Sequence, residues 1–279
     1  MRIVSSGLTD VGRVRSNNED CFRIIPQLNL FVLSDGMGGE AHGEIASGMA
    51  VETVVKHCMD MATSQAGIVM GPLKPEWSPE TKRLSTAVHL ANAGIYNSAV
   101  AHEEQQGMGA TMTAAWIHGA TLSLSHVGDS RAYLFRSKNL VQLTTDHSLV
   151  AEQVRRGILT AAEAEESEMQ SVLLRALGTQ PEIDVDTDEH TLFPKDTLLL
   201  CSDGLTRMVT DPEISEVLQS EPNPAKSVAR LIVLANQRGG IDNVSVLVVR
   251  VEASSKWWFS WLHRSQKNQA TRNGSGGGK

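Results

Sequence analysis

Apolar positions recur along this chain in two periods, packed or alternating over short runs and spaced by three to four residues over longer ones. Short β-like runs are predicted at 3–8, 21–25 and 30–34, separated by a polar loop over 10–20 that carries Gly12, Ser16, Asn17 and Asn18. After glycines 38, 39 and 43 the period changes: Ile45, Met49, Val51, Val54, Val55 and Cys58 predict a helix over 44–61. A loop with two Pro and two Gly follows over 62–77. Then Ser78-Pro79-Glu80 supplies an N-cap and a proline at the first helical position for a long helix reaching about residue 106.

A second group of strands is predicted at 110–118, 120–127, 131–136 and 140–143, with turns at Gly119 and at Gly128-Asp129-Ser130. Residues 149–169 read as helical, broken at Gly157 and restarted at Thr160, with a charged face that suits an exposed insert. Strand character returns at 183–192 and 197–201. Two more helices begin at the polar-proline pairs Asp211-Pro212 and Asn223-Pro224, before a final strand at 244–251. Strands in hairpin-linked groups with helices in pairs between them predict an α+β layered sandwich, not alternating β-α-β units.

Composition narrows the class. Hydrophobic residues at 41% and charged residues at 20% fit a soluble globular chain with a substantial core. Cys21, Cys58 and Cys201 are odd in number and widely spaced, which signals neither a disulfide framework nor a zinc knuckle, so a reducing cytoplasm is expected. No signal peptide or membrane span is expected either. From Ala253 onward there are five Lys or Arg and no acid, so the net charge of −7 divides into +5 for 253–279 and −12 for 1–252. That division marks a body ending near Glu252 and a basic tail bearing Trp257, Trp258 and Trp261, with a Gly/Ser linker-like end. The tail composition suits a weak membrane or partner contact, or a last turn that docks on the body and frays. The acidic body argues against nucleic acid as a partner.

Four acidic turns carry the candidate chemistry: Asn18-Glu19-Asp20, Asp35-Gly36, Asp203-Gly204 and Asp242-Asn243. Each alone is ordinary turn chemistry. Apolar strands precede three of them, so these carboxylates should emerge at the edge of the core. Two carboxylates ~4 Å apart repel by about 4 kcal/mol at an effective dielectric near 20, so convergence would demand cations. An all-oxygen donor set fits Mg²⁺ or Mn²⁺ better than Zn²⁺. Two such ions activate a water as a nucleophile, and phosphate esters are the natural substrate.

At these residues the sequence resembles the metal-dependent serine/threonine phosphatases of the protein phosphatase 2C (PPM) family in their compact bacterial form. The resemblance spans about 3–251 and runs through Thr9-Asp10-x-Gly12-x-x-Arg15-x-Asn17-Asn18-Glu19-Asp20, Asp35-Gly36-Met37-Gly38-Gly39, Gly109-Ala110-Thr111, Gly128-Asp129-Ser130-Arg131, Asp146-His147-Ser148, Gly157-Ile158-Leu159-Thr160, Ser202-Asp203-Gly204 and Asp242-Asn243, in the family's order. It implies a four-layer αββα sandwich, two antiparallel sheets flanked by helix pairs. It implies that Asp35 bridges two metals, with the Gly36 carbonyl on one and Asp203 and Asp242 on the other. Asp20, and Glu19 through water, would hold metal-bound waters; Asp129 would join Asp203 at a third ion; Arg15 would grip the substrate phosphate. The nucleophile implied is a water bridging the metals, so no side chain is phosphorylated. Met37 stands where eukaryotic relatives carry His, which leaves His42 or a water as the leaving-group acid. His147 and Arg131 read as loop locks. Residues 148–169 resemble a flap beside the catalytic face.

The resulting expectation is a cytoplasmic, monomeric Mn²⁺- or Mg²⁺-dependent phosphatase with two or three ions, acting on phosphoserine and phosphothreonine proteins and opposing a bacterial Ser/Thr kinase. A binding module that has lost catalysis and a metal-dependent nuclease are the alternatives. Intact carboxylates and Arg15 disfavour the first, and the acidic body disfavours the second.

Overall fold

β1 (Arg2–Asp10) pairs antiparallel along its whole length with β11 (Val244–Glu252), so the two ends of the folded body lie side by side. β11 also pairs with β10 (Thr197–Cys201), which pairs with β7 (Arg131–Arg136) and, through it, with β8 (Asn139–Gln142). These five strands form one sheet. The second sheet runs β2 (Asp20–Ile25), β3 (Leu30–Met37), β5 (Met112–His118), β6 (Thr121–Val127) and β9 (Asp186–Thr191), with the two-residue β4 (Gly109–Ala110) paired to the end of β3. The computed structural model describes residues 1–38, 42–63 and 68–253.

Strand alternation divides the apolar side chains among three cores. Phe31 and Leu33 of β3 meet Leu198 and Leu200 of β10 and Leu247 and Val249 of β11 between the sheets. On the opposite face of β3, Leu30 and Val32 pack with Val51 and Val54 of α1 (His42–Thr63) and Leu84 and Val88 of α2 (Pro79–Ala101). On the far side, Leu199 and Val248 meet α6 (Asp211–Ser220) and α7 (Pro224–Gln237) through Ile214, Val217, Leu231 and Ala235. Helix pair, sheet, sheet, helix pair is the αββα order. Among the described residues three short α-helices complete the set: α3 (Leu149–Arg155), α4 (Ala161–Glu165) and α5 (Asp203–Thr206). Among the described residues no helix is long and apolar enough to cross a membrane.

Local signals explain most boundaries. Ser78 Oγ accepts the Thr81 amide at the start of α2, and Thr160 and Glu163 form a capping box on α4. Three expectations need correction. α2 stops at Ala101 because His102 turns extended, and a single 3₁₀ turn at Glu103–Gln105 follows. The helical stretch after Thr160 ends at Glu165, not 169, and β9 starts at Asp186, not 183. Ile183 and Val185 are instead used to pack against the helix-side core, which removes them from the ladder. The Trp-rich tail expected over 253–279 lies outside the described residues beyond Ala253.

Candidate metal centre

The acidic residues meet where the chain passes from one sheet to the other. Asp20 opens β2 and Asp35 nears the end of β3, and antiparallel register sets them directly opposite one another. Thr111, the residue that interrupts β4 and β5, clamps Asp35: its Oγ1 accepts the Asp35 amide at 2.9 Å and its own amide donates to the Asp35 carbonyl at 2.8 Å. Gly36 follows in a backbone crush. A Cβ there would run into the Gly43 and Glu19 carbonyls, so only glycine fits beside Asp35.

The other two come from the opposite sheet. Asp203 begins α5 directly after β10, and Asp242 precedes β11. Asn243 stitches the halves, its Oδ1 accepting the Glu19 amide at 2.8 Å and its Nδ2 donating to the Val11 and Asn17 carbonyls. Asp203 and Asp35 line the same cavity. Arg15, on the β1–β2 crossing, donates from Nη2 to Asp242 Oδ2 at 2.8 Å while half of its side chain stays exposed. Asp129 joins from the turn between β6 and β7, another crossing between the sheets.

Arg15, Glu19, Asp35, Gly36, Asp129, Asp203 and Asp242 thus line one cavity of about 100 Å³, together with Thr111, Ser171, Leu173 and Asn243. Asp20 lies just beneath, buried and held by the Ser202 hydroxyl at 2.8 Å. The cluster is under electrostatic stress. Burial, opposed by the hydrogen bonds from Ser245 and Ser202, pushes the Asp20 carboxyl up to about 7. Burial and then the charges of Asp20, Asp203, Asp129 and Asp242 hold Asp35 well above the usual carboxylate range. Asp129 and Asp203 are raised for the same reasons, burial first. Proteins relieve such a gathering of buried carboxyls with protons or with cations.

The donor set fits divalent ions. It is all oxygen, and Asp20 Oδ1 is buried with no hydrogen-bond partner. Among the described residues no three His, Cys, Asp or Glu side chains close tightly enough to enclose an ion unaided. Coordination completed by water, the habit of Mg²⁺, is what such a site allows.

All the residues singled out as metal ligands in the sequence reach this locality, whereas His42, at the first residue of α1, does not line the cavity. Gly39 lies outside the described residues. His147 and Arg131 are tied into loops: His147 Nδ1 accepts the Gly128 amide at 3.0 Å, so its Nε2 donates to Asp186, and Arg131 grips both oxygens of Asp146. Sequence reasoning gave no role to Ser202, Thr111 or Asn243, although each sits inside a recognised motif. It missed Arg207 altogether, whose Nη1 lies 3.5 Å from both Asp203 and Asp242.

A family model described as Protein phosphatase 2C matches residues 13–239. The serine/threonine phosphatase stp of Listeria monocytogenes is 36% identical over 251 residues, covering 89% of this chain and 96% of its own. The crystal structure of the Mycobacterium tuberculosis serine/threonine phosphatase PstP/Ppp superposes with a TM-score of 0.79 at 36% identity, covering 90% of this chain and 99% of that one. A structure of the PstP catalytic domain in complex with two manganese ions matches with a TM-score of 0.76 at 36% identity, covering 90% and 99%.

Proposed function

We propose that this chain, which belongs to the protein phosphatase 2C family, is a Mn²⁺- or Mg²⁺-dependent hydrolase of phosphoserine and phosphothreonine in proteins. The observation that carries the reading is the single cavity in which Arg15 faces Asp35, Asp129, Asp203 and Asp242. Asp35, the Gly36 carbonyl, Asp203 and Asp242 would hold two cations, Asp20 and Glu19 their waters, and Asp129 a third ion. When bound, such ions supply Lewis acidity, lowering the pKa of a shared water and neutralising the phosphoryl oxygens.

The protein's own groups do the rest. Arg15 is half exposed at the rim and already anchored on Asp242, so its remaining donors can take a phosphoryl dianion and orient the ester toward the carboxylates. The clamp of Thr111 on both sides of the Asp35 peptide fixes that carboxylate without occupying it. Ser202 donates its proton to Asp20 Oδ2 and leaves Oδ1 open. Ser171 and Leu173, just beyond the α3–α4 insert, wall one side of the cavity, and Leu174 and Arg175 line a neighbouring groove of about 430 Å³. We assign this strip to selection among phosphoproteins. The physiological setting we favour is a cytoplasmic monomer opposing a Ser/Thr kinase, with 1–252 as the catalytic domain.

The deciding experiment is Mn²⁺-dependent release of phosphate from a phosphothreonine peptide by wild type, Asp35→Asn and Asp203→Asn. Release by wild type alone is the expected result. Wild type that binds Mn²⁺ but releases no phosphate from any phosphopeptide would identify a binding module instead.

A further inference from the structure

Arg207 is a cation of this locality, in contact with two of its carboxylates, that the proposed reaction does not use. It caps α5, one helical turn after Asp203, with its amide bonded to the Asp203 carbonyl at 2.9 Å. Its Nη1 lies 3.5 Å from Asp203 Oδ2 and 3.5 Å from Asp242 Oδ2, so one nitrogen spans two carboxylates from separate loops. The side chain is 27% exposed, and Nε is buried with no acceptor. Arg207 also does not line the cavity that Arg15 shares with the carboxylates. It therefore approaches Asp203 and Asp242 from outside the lining of that cavity, sharing Asp242 Oδ2 with Arg15.

A guanidinium cannot be neutralised near physiological pH, so its charge persists whether or not an ion is present. In the metal-free protein that charge offsets the repulsion between two carboxylates brought together by folding. Once a divalent ion is bound to the same carboxylates, the same charge opposes it. We propose that Arg207 is a positioning residue that acts as a built-in counter-cation: it holds Asp203 and Asp242 side by side in the metal-free protein and weakens their grip on the divalent ion. The inference rests on the reading of Asp203 and Asp242 as metal ligands. Its consequence is a site that exists before metal arrives and that exchanges metal readily.

The test uses the full 279-residue chain, MnCl₂ alone as probe, calorimetric titration for affinity and thermal unfolding with and without Mn²⁺. Arg207→Met keeps the apolar stem and removes the charge; Arg207→Lys keeps the charge and loses the fork. Arg207→Met is expected to bind Mn²⁺ on the order of fivefold more tightly, as loss of a nearby like charge requires. It should also unfold at lower temperature without metal, so that its gain in Tm on adding Mn²⁺ exceeds that of wild type. Arg207→Lys should stay within about twofold of wild type in affinity, since the charge remains. A methionine variant that folds only in Mn²⁺ would also support the proposal. Affinity in Arg207→Met that is unchanged or weaker, an equal fall in Tm with and without Mn²⁺, or failure to fold even in Mn²⁺ would overturn it and leave Arg207 a plain structural contact. Wild type that does not bind Mn²⁺ would instead bring down the metal-site reading itself, and this inference with it.

Discussion

The Ser202 hydroxyl donates to Asp20 Oδ2 at 2.8 Å across 182 positions of sequence, and the same Ser202 oxygen accepts the Ser245 amide at 2.9 Å. One buried hydroxyl thus ties the edge of the second sheet to β10 and β11. Ser202→Ala leaves a buried carboxylate oxygen and a buried amide short of partners, and the expected loss is about 1–3 kcal/mol in urea unfolding. Mn²⁺ affinity should fall with it, because Asp20 loses the contact that orients it. Stability equal to wild type would show the bond to be dispensable.

Asp35→Asn is expected to separate stability from activity. Asp35 is raised well above the usual range by burial and by four neighbouring carboxylates, so replacing it with a neutral side chain removes repulsion from the metal-free protein. The variant should withstand more urea than wild type in chelator, by about 1 kcal/mol, while phosphate release falls by about 100-fold or more. A variant less stable than wild type under chelation would contradict the picture of an electrostatically stressed cluster.

Metal binding should release protons. Folded-state pKa values raised above those of the unfolded chain, as for Asp20 at about 7, mean that the metal-free native protein holds protons that the unfolded chain has lost. That contribution to stability is full below about 4, the unfolded carboxyl value, and is lost as pH rises through about 7. Mn²⁺ must displace these protons, so its affinity should climb from pH 6 to pH 8. Titration in buffers of different ionisation enthalpy reads the number displaced. No buffer dependence at pH 6 would refute the linkage.

His126 gives the opposite pH slope from a different place. Burial, followed by the neighbouring imidazole of His147 with its ring 4.9 Å away, pushes His126 down to about 4. Its Nε2 faces the Gly128 and Thr145 carbonyls and must carry the proton, so Nδ1 accepts from the Thr113 hydroxyl. Below about 6.5 the unfolded chain binds a proton that the folded one refuses, so this contribution falls as pH drops from about 6.5 to about 4. The full span is about 3 kcal/mol for so buried a ring. His126→Gln should flatten the dependence of the urea midpoint on pH over this window relative to wild type. An unaltered slope would assign the acid sensitivity elsewhere.

The sites most legible in sequence were those announced by a local break. Asp35 and Asp203 each end an apolar strand, and Asp242 precedes one, so the change from β pattern to acidic turn marks them without any knowledge of the partner. Their convergence was an expectation until register and crossings brought them to one cavity. Arg207 left no such mark, because a charged residue at the end of a four-residue helix looks like surface, and only the spatial approach of Asp242 gives it meaning. Ile183 and Val185 mislead for a related reason. An apolar alternation records burial, and here burial is against helices and not within a ladder.

Asp20 and Asp35 belong to one sheet, and Asp203 and Asp242 flank strands of the other. Ions held among them would rivet the two leaves of the sandwich at this end, where side-chain packing gives way to carboxylates. Loading with metal would then do more than switch on chemistry: it would decide how easily the leaves part, and with that how long the molecule survives a protease.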